Sequence, residues 1–271
     1  MIVKKPTVKR IQFDDVLKHL TYCARVCTDT QAKTEDTDCA AFVEKLIKAG
    51  HMSCLEHAAV DISDKMIPLE LLKDNEPSFG LVMSRAVLGS LRFRDLYEGT
   101  EAYRDITKWN ELPRSPGLIT FEVECSRVTS QQFERHRNLS FLERSMRYVT
   151  FKSVEDFEVV LPESVDDDST RHSIECAIMD YRRLKDNKLS SDEARYVLPL
   201  CTATKLIVSG DLTWWLNFLE LRYNKAASKE IITVARQIYE QAPWDLHEYV
   251  CNTPELEEQF DDADKCIVSG S

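Results

Sequence analysis

Two short stretches of apolar and polar alternation, residues 56–62 and 119–123, sit among longer segments with helical spacing, and this mixture confines the chain to an α+β architecture. Two strands with that pattern can pair in one sheet. Ahead of them, Val16, Leu20, Cys23 and Cys27 recur at helical spacing across 14–27, and 36–48 reads as a second amphipathic helix ended by Gly50. Between the strands, 63–117 carries its own turn signals at Pro68, Pro77, Gly80, Gly89, Pro113 and Pro116, as an insertion packed on a core does. Downstream, the spacing predicts a helix over 130–139, a short strand over 156–161 and a long helix over 169–186 behind Asp166, Asp167 and Asp168. A short helix over 193–198, a β-rich segment over 202–208, a helix N-capped by Asp211 and reaching Tyr223, and a helix over 226–241 follow. No repeat, low-complexity tract or linker divides the chain, so 1–271 is expected to be one mixed α/β domain with the 63–117 insertion inside it.

The formal net charge of −11 repels polyanions unless basic residues are concentrated locally, which argues against a nucleic-acid polymer as ligand. No apolar run approaches the roughly 18 residues of a membrane span, and residues 1–14 lack the apolar stretch of a signal peptide. A cytoplasmic protein without a membrane partner is expected. Nine scattered cysteines, an odd number, point to reduced thiols rather than a disulfide framework.

Against that acidic background, residues 132–148 pack four arginines and a histidine into seventeen positions. Guanidinium groups present a planar fork of donors matched to phosphate and to uracil oxygens, so the cluster suits a small dianion such as a nucleotide. On a helix, Gln132 and Arg135 share a face, whereas Arg135, His136 and Arg137 fan over more than half the circumference. If all three bind ligands, the expected arrangement is a site shared between subunits.

Arg135-His136-Arg137, seven intervening residues, Ser145 and then Arg147-Tyr148 resemble the signature of the flavin-dependent thymidylate synthases. Three further blocks agree in order: 50–57 with His51 and Ser53, 194–199 with Arg195, and 217–222 with Asn217 and Arg222. The resemblance covers 50–57 and about 119–244. It implies a homotetramer of α/β subunits with active sites shared between them, using FAD as cofactor, NADPH and methylenetetrahydrofolate as co-substrates, and dUMP as the substrate converted to dTMP. Carried over by position, the dUMP-binding residues are Gln132, Arg135, Glu143, Arg144, Ser145, Met146, Arg147, Arg195 and Arg222, with Arg147 and Arg195 on the phosphate and Arg222 facing the uracil as the catalytic residue. The FAD-lining residues are His51, Ser53, Arg135, His136, Arg137, Glu143, Asp211, Thr213 and Asn217. Asn217 and Arg222 are turned about 140° apart on one helix, which fits two different ligands.

The implied route uses no protein nucleophile, and none of the nine cysteines is followed by histidine, so the Cys-His pair of the cysteine-dependent synthases is missing. Three positions depart from the family pattern: Leu142 where Asn is frequent, Ala226 where His occurs, and Asp211-Leu212-Thr213 where many members have Asn-x-Arg. The last departure removes a cation expected near the flavin, and Arg92 or Arg94 from the insertion is a candidate replacement.

Other residues have plainer readings. His19, Cys23 and Cys27 have a metal-like spacing but share a stripe with Val16 and Leu20, which favours core packing and no metal. The aspartates at 166–168 read as a solvated helix start, Trp214 and Trp215 as core, and Arg144 and Glu134 as surface residues. His57 has a structural reading at a strand entry. The alternatives to dUMP methylation are a sibling reaction, C5 hydroxymethylation or UMP methylation, and, from another class, a catalytically silent nucleotide- or RNA-binding protein.

Overall fold

The computed structural model describes residues 1–62, 90–99, 101–148, 151 and 153–268. Of the expected insertion, 63–117, residues 63–89 and 100 lie outside the described residues. In chain order the described elements begin with β1 (Ile2–Lys4), β2 (Thr7–Arg10), α1 (Val16–Arg25), α2 (Cys39–Lys48), β3 (Ala59–Asp61) and β4 (Ser90–Arg92). They continue with α3 (Phe93–Gly99), β5 (Leu118–Ser126), α4 (Arg127–Phe133), β6 (Ser140–Glu143), β7 (Glu158–Val160), α5 (Asp168–Asp186) and α6 (Ser191–Ala194). The last are β8 (Ala203–Asp211), α7 (Leu212–Arg222), α8 (Lys229–Glu240), α9 (Trp244–Cys251) and α10 (Pro254–Val268). Among the described residues, no helix is long and apolar enough to cross a membrane.

Local chemistry sets the helix starts. Asp15, Asp38 and Asp167 each accept a backbone N–H of the first turn of α1, α2 and α5, which satisfies donors the helix itself leaves open. Ser190 and Glu193 form a reciprocal capping box on α6. After α2, Gly50 takes a left-handed backbone with φ of 77°, a conformation that lets the chain reverse toward the turn Met52–His57.

The fold is a mixed α/β layer structure built on one antiparallel sheet in the order β2-β5-β8-β6. Nine residue pairs join β5 and β8, from Leu118 opposite Asp211 to Ser126 opposite Ala203. Because side chains alternate along a strand, Phe121 with Val208 and Val123 with Leu206 face one side, where Trp215, Phe218, Ile231 and Ile238 of α7 and α8 cover them. Ile207 and Leu142 face the other side with Val16, Leu20 and Leu55. Both faces of β8 are therefore covered, which is why it is almost continuously buried.

A polar chain crosses the second face. Thr120 and Ser209 hydroxyls are 2.7 Å apart, Ser209 is 2.8 Å from His57 Nδ1, and His19 Nε2 donates to the His57 carbonyl at 2.9 Å. His19 and Cys23 are thus core residues.

Three expectations from the sequence give way. Residues 56–62 and 119–123 do not pair: β3 pairs with β4, while β5 lies between β2 and β8. The helix expected over 130–139 ends at Phe133, and α9 and α10 extend the helical part beyond 241. Asp211 occupies the N-cap position of α7 but makes no side-chain cap, because its carboxylate is held elsewhere.

Gly210 on β8 marks a close approach. A Cβ there would lie 2.2 Å from Leu139 Cδ2 and 3.4 Å from Trp215 Nε1. The leucine tip can rotate away, so Gly210→Ala is expected to cost about 1 kcal/mol in urea unfolding, at the low end for overpacking. An unchanged midpoint would mean that Leu139 has a second rotamer of equal energy.

Candidate functional site

Phe133, at the end of α4, stacks on Phe218 of α7 with ring centroids 4.6 Å apart, and His136 packs edge-on against the same ring at 5.0 Å. The helix ends at Phe133 and the chain turns there, with both rings still on Phe218. The His136 N–H donates to the Phe133 carbonyl at 2.9 Å and the Leu139 N–H to the His136 carbonyl at 3.0 Å. As a result three consecutive residues, Arg135, His136 and Arg137, line one cavity of about 310 Å³ together with Trp214, Asn217 and Arg222. Asn138, Leu139 and Leu221 complete its walls.

This corrects two angular arguments. The fanning of Arg135, His136 and Arg137 does not prevent their use by one chain, because they are not helical. Asn217 and Arg222 also border the same space rather than two ligands' separate spaces. Trp214, read as core, is half-buried and contributes an aromatic wall; its place three residues before Asn217 was the available signal.

Arg222 is held in place from two directions. Its Nε donates to His136 Nε2 at 2.9 Å and its Nη2 to the Gln132 carbonyl at 3.2 Å. An accepting Nε2 puts the His136 proton on Nδ1. Burial, reinforced by the Arg222 charge, pushes the His136 pKa down to about 4, so the ring is neutral at ordinary pH. Burial and the neighbouring Arg135 charge also lower the Arg222 pKa. Among the described residues no carboxylate lines this cavity, and neither Arg135 nor Arg137 has an ion-pair partner. Uncompensated guanidinium charge beside an aromatic wall is chemistry for an anion with a ring.

A second cavity, of about 360 Å³, lies at the other end of α4 and is bordered by Arg127, Met146, Arg195, Tyr196, Leu198 and Thr202. The seven residues of α4 hold the two cavities apart by roughly 10 Å. Here the cations are paired. Arg127 contacts Glu143 at 3.1 Å and donates to the Arg144 carbonyl, and Thr204 donates to the other Glu143 oxygen at 2.9 Å. Arg147 and Arg195 meet on the two oxygens of Asp192, at 3.1 and 2.7 Å, so a phosphate between them has to displace that carboxylate.

The residues expected to hold one nucleotide therefore fall into two groups within a chain. Arg135 and Arg222 border the first cavity, with Gln132 behind Arg222. Met146 and Arg195 border the second, with Arg147 joined to Arg195 through Asp192, and Ser145 accepting the Arg147 N–H at 3.3 Å. Arg144 is not a surface residue: it is 5% exposed and its side chain points inward to Asp29, Glu158 and the Ala203 carbonyl. Arg127 was not among the expected residues, and nothing in its local sequence separates it from an ordinary first-turn arginine.

Of the flavin set, Arg135, His136, Arg137 and Asn217 border the first cavity, whereas His51, Ser53 and Thr213 are exposed outside its lining. Glu143 is engaged by Arg127 and Thr204. Asp211 is buried in a bidentate pair with the fully buried Arg92, at 2.9 and 3.2 Å. That pair removes Arg92 as a phosphate-binding replacement for the missing cation, and Arg94 is already joined to Glu56 and Glu98.

The fold is a mixed α/β structure with a cavity lined by Arg135, Arg137 and Arg222 where α7 meets the turn after α4. Residues 116–244 match the family described as thymidylate synthase complementing protein. It is 36% identical over 123 residues to a flavin-dependent thymidylate synthase of Geobacter sulfurreducens, covering 43% of this chain and 53% of that one. It is 34% identical over 126 residues to the flavin-dependent thymidylate synthase of Thermococcus onnurineus, covering 44% and 51%. The chain thus spans about half the length of these curated relatives. Among solved structures, it is similar to thymidylate synthase X from Helicobacter pylori with FAD and dUMP, at 24% identity and a TM-score of 0.43 over 54% of this chain and 72% of that one. It is also similar to the UMP/dUMP methylase PolB from Streptomyces cacaoi bound with 5-Br dUMP, at 18% identity and a TM-score of 0.45 over 88% and 90%.

Proposed function

We propose that this chain is a flavin-dependent thymidylate synthase that converts dUMP to dTMP, with methylenetetrahydrofolate as carbon donor and NADPH reducing bound FAD. The observation that carries this reading is the first cavity: three arginines with no facing carboxylate among the described residues, inside the segment that matches the family. Its residues fit a flavin nucleotide, since Arg135 and Arg137 are unpaired donors for phosphate and Trp214 and Leu221 are apolar faces for a ring. At about 310 Å³ the space is at the small end of the roughly 300 to 1,000 Å³ usual for small-molecule sites. The enclosed space suits the flavin ring, and the open rim leaves the uracil ring and the remainder of the dinucleotide beside it, within reach of Arg222.

Bound reduced flavin would supply the hydride that completes the methyl group. Arg222, aimed by His136 and the Gln132 carbonyl, would stabilise negative charge on the uracil as C5 reacts. Neutral His136 would serve as an acceptor that fixes Arg222. Arg147 and Arg195 would hold the nucleotide phosphate in place of Asp192. Arg147 and Arg195 lie at the other end of α4 from Arg222, and in this reading one complete site combines the first cavity of one chain with the second cavity of another, in a homo-oligomer. A cytoplasmic location accords with this chemistry.

The direct test is dTMP formation from dUMP by purified protein, with omission of folate, NADPH or FAD in turn. Bound flavin bleached by NADPH and product only in the complete mixture are expected. A colourless protein that forms no dTMP and binds RNA in a steeply salt-dependent way would overturn the reading in favour of a silent binding protein. Product mass distinguishes methylation from hydroxymethylation. For the shared site, equal mixing of Arg222→Ala and Arg195→Ala chains should restore activity in roughly a quarter of sites, the share that draws both intact halves from different chains. Verified mixed oligomers with no recovery would place both halves in one chain.

A further inference from the structure

Behind the segment 143–147 the charged side chains close into a ring. Lys4 Nζ lies 3.1 Å from both Glu124 and Glu158. The Glu158 carboxylate is 3.6 Å from Arg144 Nη1, which is 3.3 Å from Asp29. The other Asp29 oxygen is 3.5 Å from Lys205 Nζ, and Lys205 is 3.8 Å from Glu124, where the ring closes. Three cations alternate with three anions, and every charge has an opposite charge on each side.

The six residues come from six places in the chain: β1, the turn after α1, β5, the end of β6, β7 and β8. Asp29 enters the ring from a left-handed backbone with φ of 53°, uncommon for a residue with a side chain. Arg144 is the most buried member, at 5% exposure against 19 to 33% for the other five. It is also the best tied. Its Nη2 donates to the Ala203 carbonyl, its backbone N–H donates to the Lys205 carbonyl at 2.8 Å, and its own carbonyl accepts from Arg127 at 3.0 Å. The next residue, Ser145, donates its N–H to the Cys27 carbonyl at 3.0 Å. Met146 then borders the second cavity and Arg147 reaches Asp192.

We propose that Arg144 is a positioning residue: as keystone of this six-membered charge ring it fixes Met146 at the rim of the second cavity, with Ser145 and Arg147 on either side of it. Isolated half-exposed ion pairs contribute little because each must order two long side chains for one contact. In a closed ring the ordering of each side chain serves two contacts, so breaking one member loosens its neighbours. The buried guanidinium suits the central place because its planar fork reaches two carboxylates and a carbonyl at once, which a single ammonium does not. The consequence for substrate rests on the function proposed above, whereas the hold on the segment does not.

The test uses Arg144→Met, Arg144→Lys and Lys205→Met in the full chain with its flavin, with amide exchange of 145–147 and steady-state kinetics as readouts. Arg144→Met is expected to speed exchange of those amides by about tenfold. It should raise KM for dUMP about fivefold while kcat changes less than about twofold and flavin content is retained. Arg144→Lys should recover part of both effects. Lys205→Met, at a more exposed ring member, should act in the same direction but less, and the double variant should fall short of the product of the two, because a ring is broken only once. Unchanged exchange at 145–147, simple multiplication of the two effects, or a Lys variant no better than Met overturns the proposal. If no variant, wild type included, turns over dUMP, the proposed function fails and the exchange rates alone decide the ring.

Discussion

Acidification from pH 7 to about 4.5 is expected to unfold this chain, through three histidines that the fold keeps neutral. His19 and His57 have pKa values pushed down to about 3, and His136 to about 4, from the ordinary 6.5, in each case first by burial. The Arg114 charge adds to the shift at His19, Arg92 at His57 and Arg222 at His136. Among the described residues His19 Nδ1 and His57 Nε2 have no hydrogen-bond partner, so a proton added there has no acceptor in a core of Leu20, Leu55 and Val60. A folded-state pKa below the unfolded one means that the unfolded chain binds more protons as pH falls. The stability is complete above about pH 6.5 and is lost as pH falls toward the folded values of about 3 to 4. Each histidine removes on the order of 1.4 kcal/mol per pH unit in that window, and three remove on the order of 4, against a total of about 5 to 15 for a typical domain. Urea unfolding at half-unit steps from pH 7 to 4.5, with proton uptake by calorimetry in two buffers, measures this directly. Uptake of less than one proton on unfolding at pH 5 would refute the assignment, whatever the carboxylates add.

The parts of this fold that were legible in the sequence are those decided locally. α1, α2, α7 and α8 lie within the segments expected from the sequence and α5 begins one residue before its own, and Asp15, Asp38 and Asp167 begin three of them for the reason that side-chain oxygens satisfy open N–H groups. α10 carries the same kind of signal, with Leu256, Phe260, Ala263 and Ile267 recurring behind Pro254 at the first turn, although it lies beyond the elements anticipated. What was not legible depends on residues far away in sequence. α4 stops at Phe133 inside a segment whose spacing suits a longer helix, and Phe133 and His136 both pack on Phe218, 85 positions on, a contact no local rule announces. β3 finds β4 rather than β5, and β4 is only three residues long. Asp211 reads as a cap from its position, yet a buried guanidinium at Arg92 offers its carboxylate two charge-assisted bonds.

The candidate site divides in the same way. The arginine-rich run raised the expectation of an anion through composition alone, but which arginines are available is a tertiary matter. Among the described residues Arg135 and Arg137 have no ion-pair partner at the first cavity, whereas Arg147 and Arg195 share Asp192, and Arg144 turns inward among three carbonyl and carboxylate groups. The sequence spacing between Arg137 and Ser145 therefore spans two different environments.

Arg222→Lys is expected to keep the fold and the flavin while lowering dTMP formation between roughly tenfold and a hundredfold. The guanidinium has five N–H donors, of which one serves His136 Nε2 and one the Gln132 carbonyl, so three remain to face a ligand in the cavity. Those two anchors fix the plane of the fork before any ligand arrives. Negative charge building on the uracil would then meet a donor array that needs no reorganisation. A lysine ammonium has three donors in a tetrahedral arrangement and no plane to hold. Bonds to His136 and Gln132 would turn most of its donors away from the cavity, and a turn toward the ligand would abandon the anchors. The effect should fall on kcat more than on KM, because the interaction strengthens as charge develops, and NADPH oxidation without dUMP should change less. Since His136 stays neutral down to about pH 4, its acceptor role persists across the range in which the chain is folded, and the wild-type ratio to Arg222→Lys should be flat from pH 8 to about 6. Equal dTMP formation by the two proteins at saturating substrates would reduce Arg222 to a binding residue, and a ratio that collapses between pH 8 and 6 would show that His136 does not remain an acceptor.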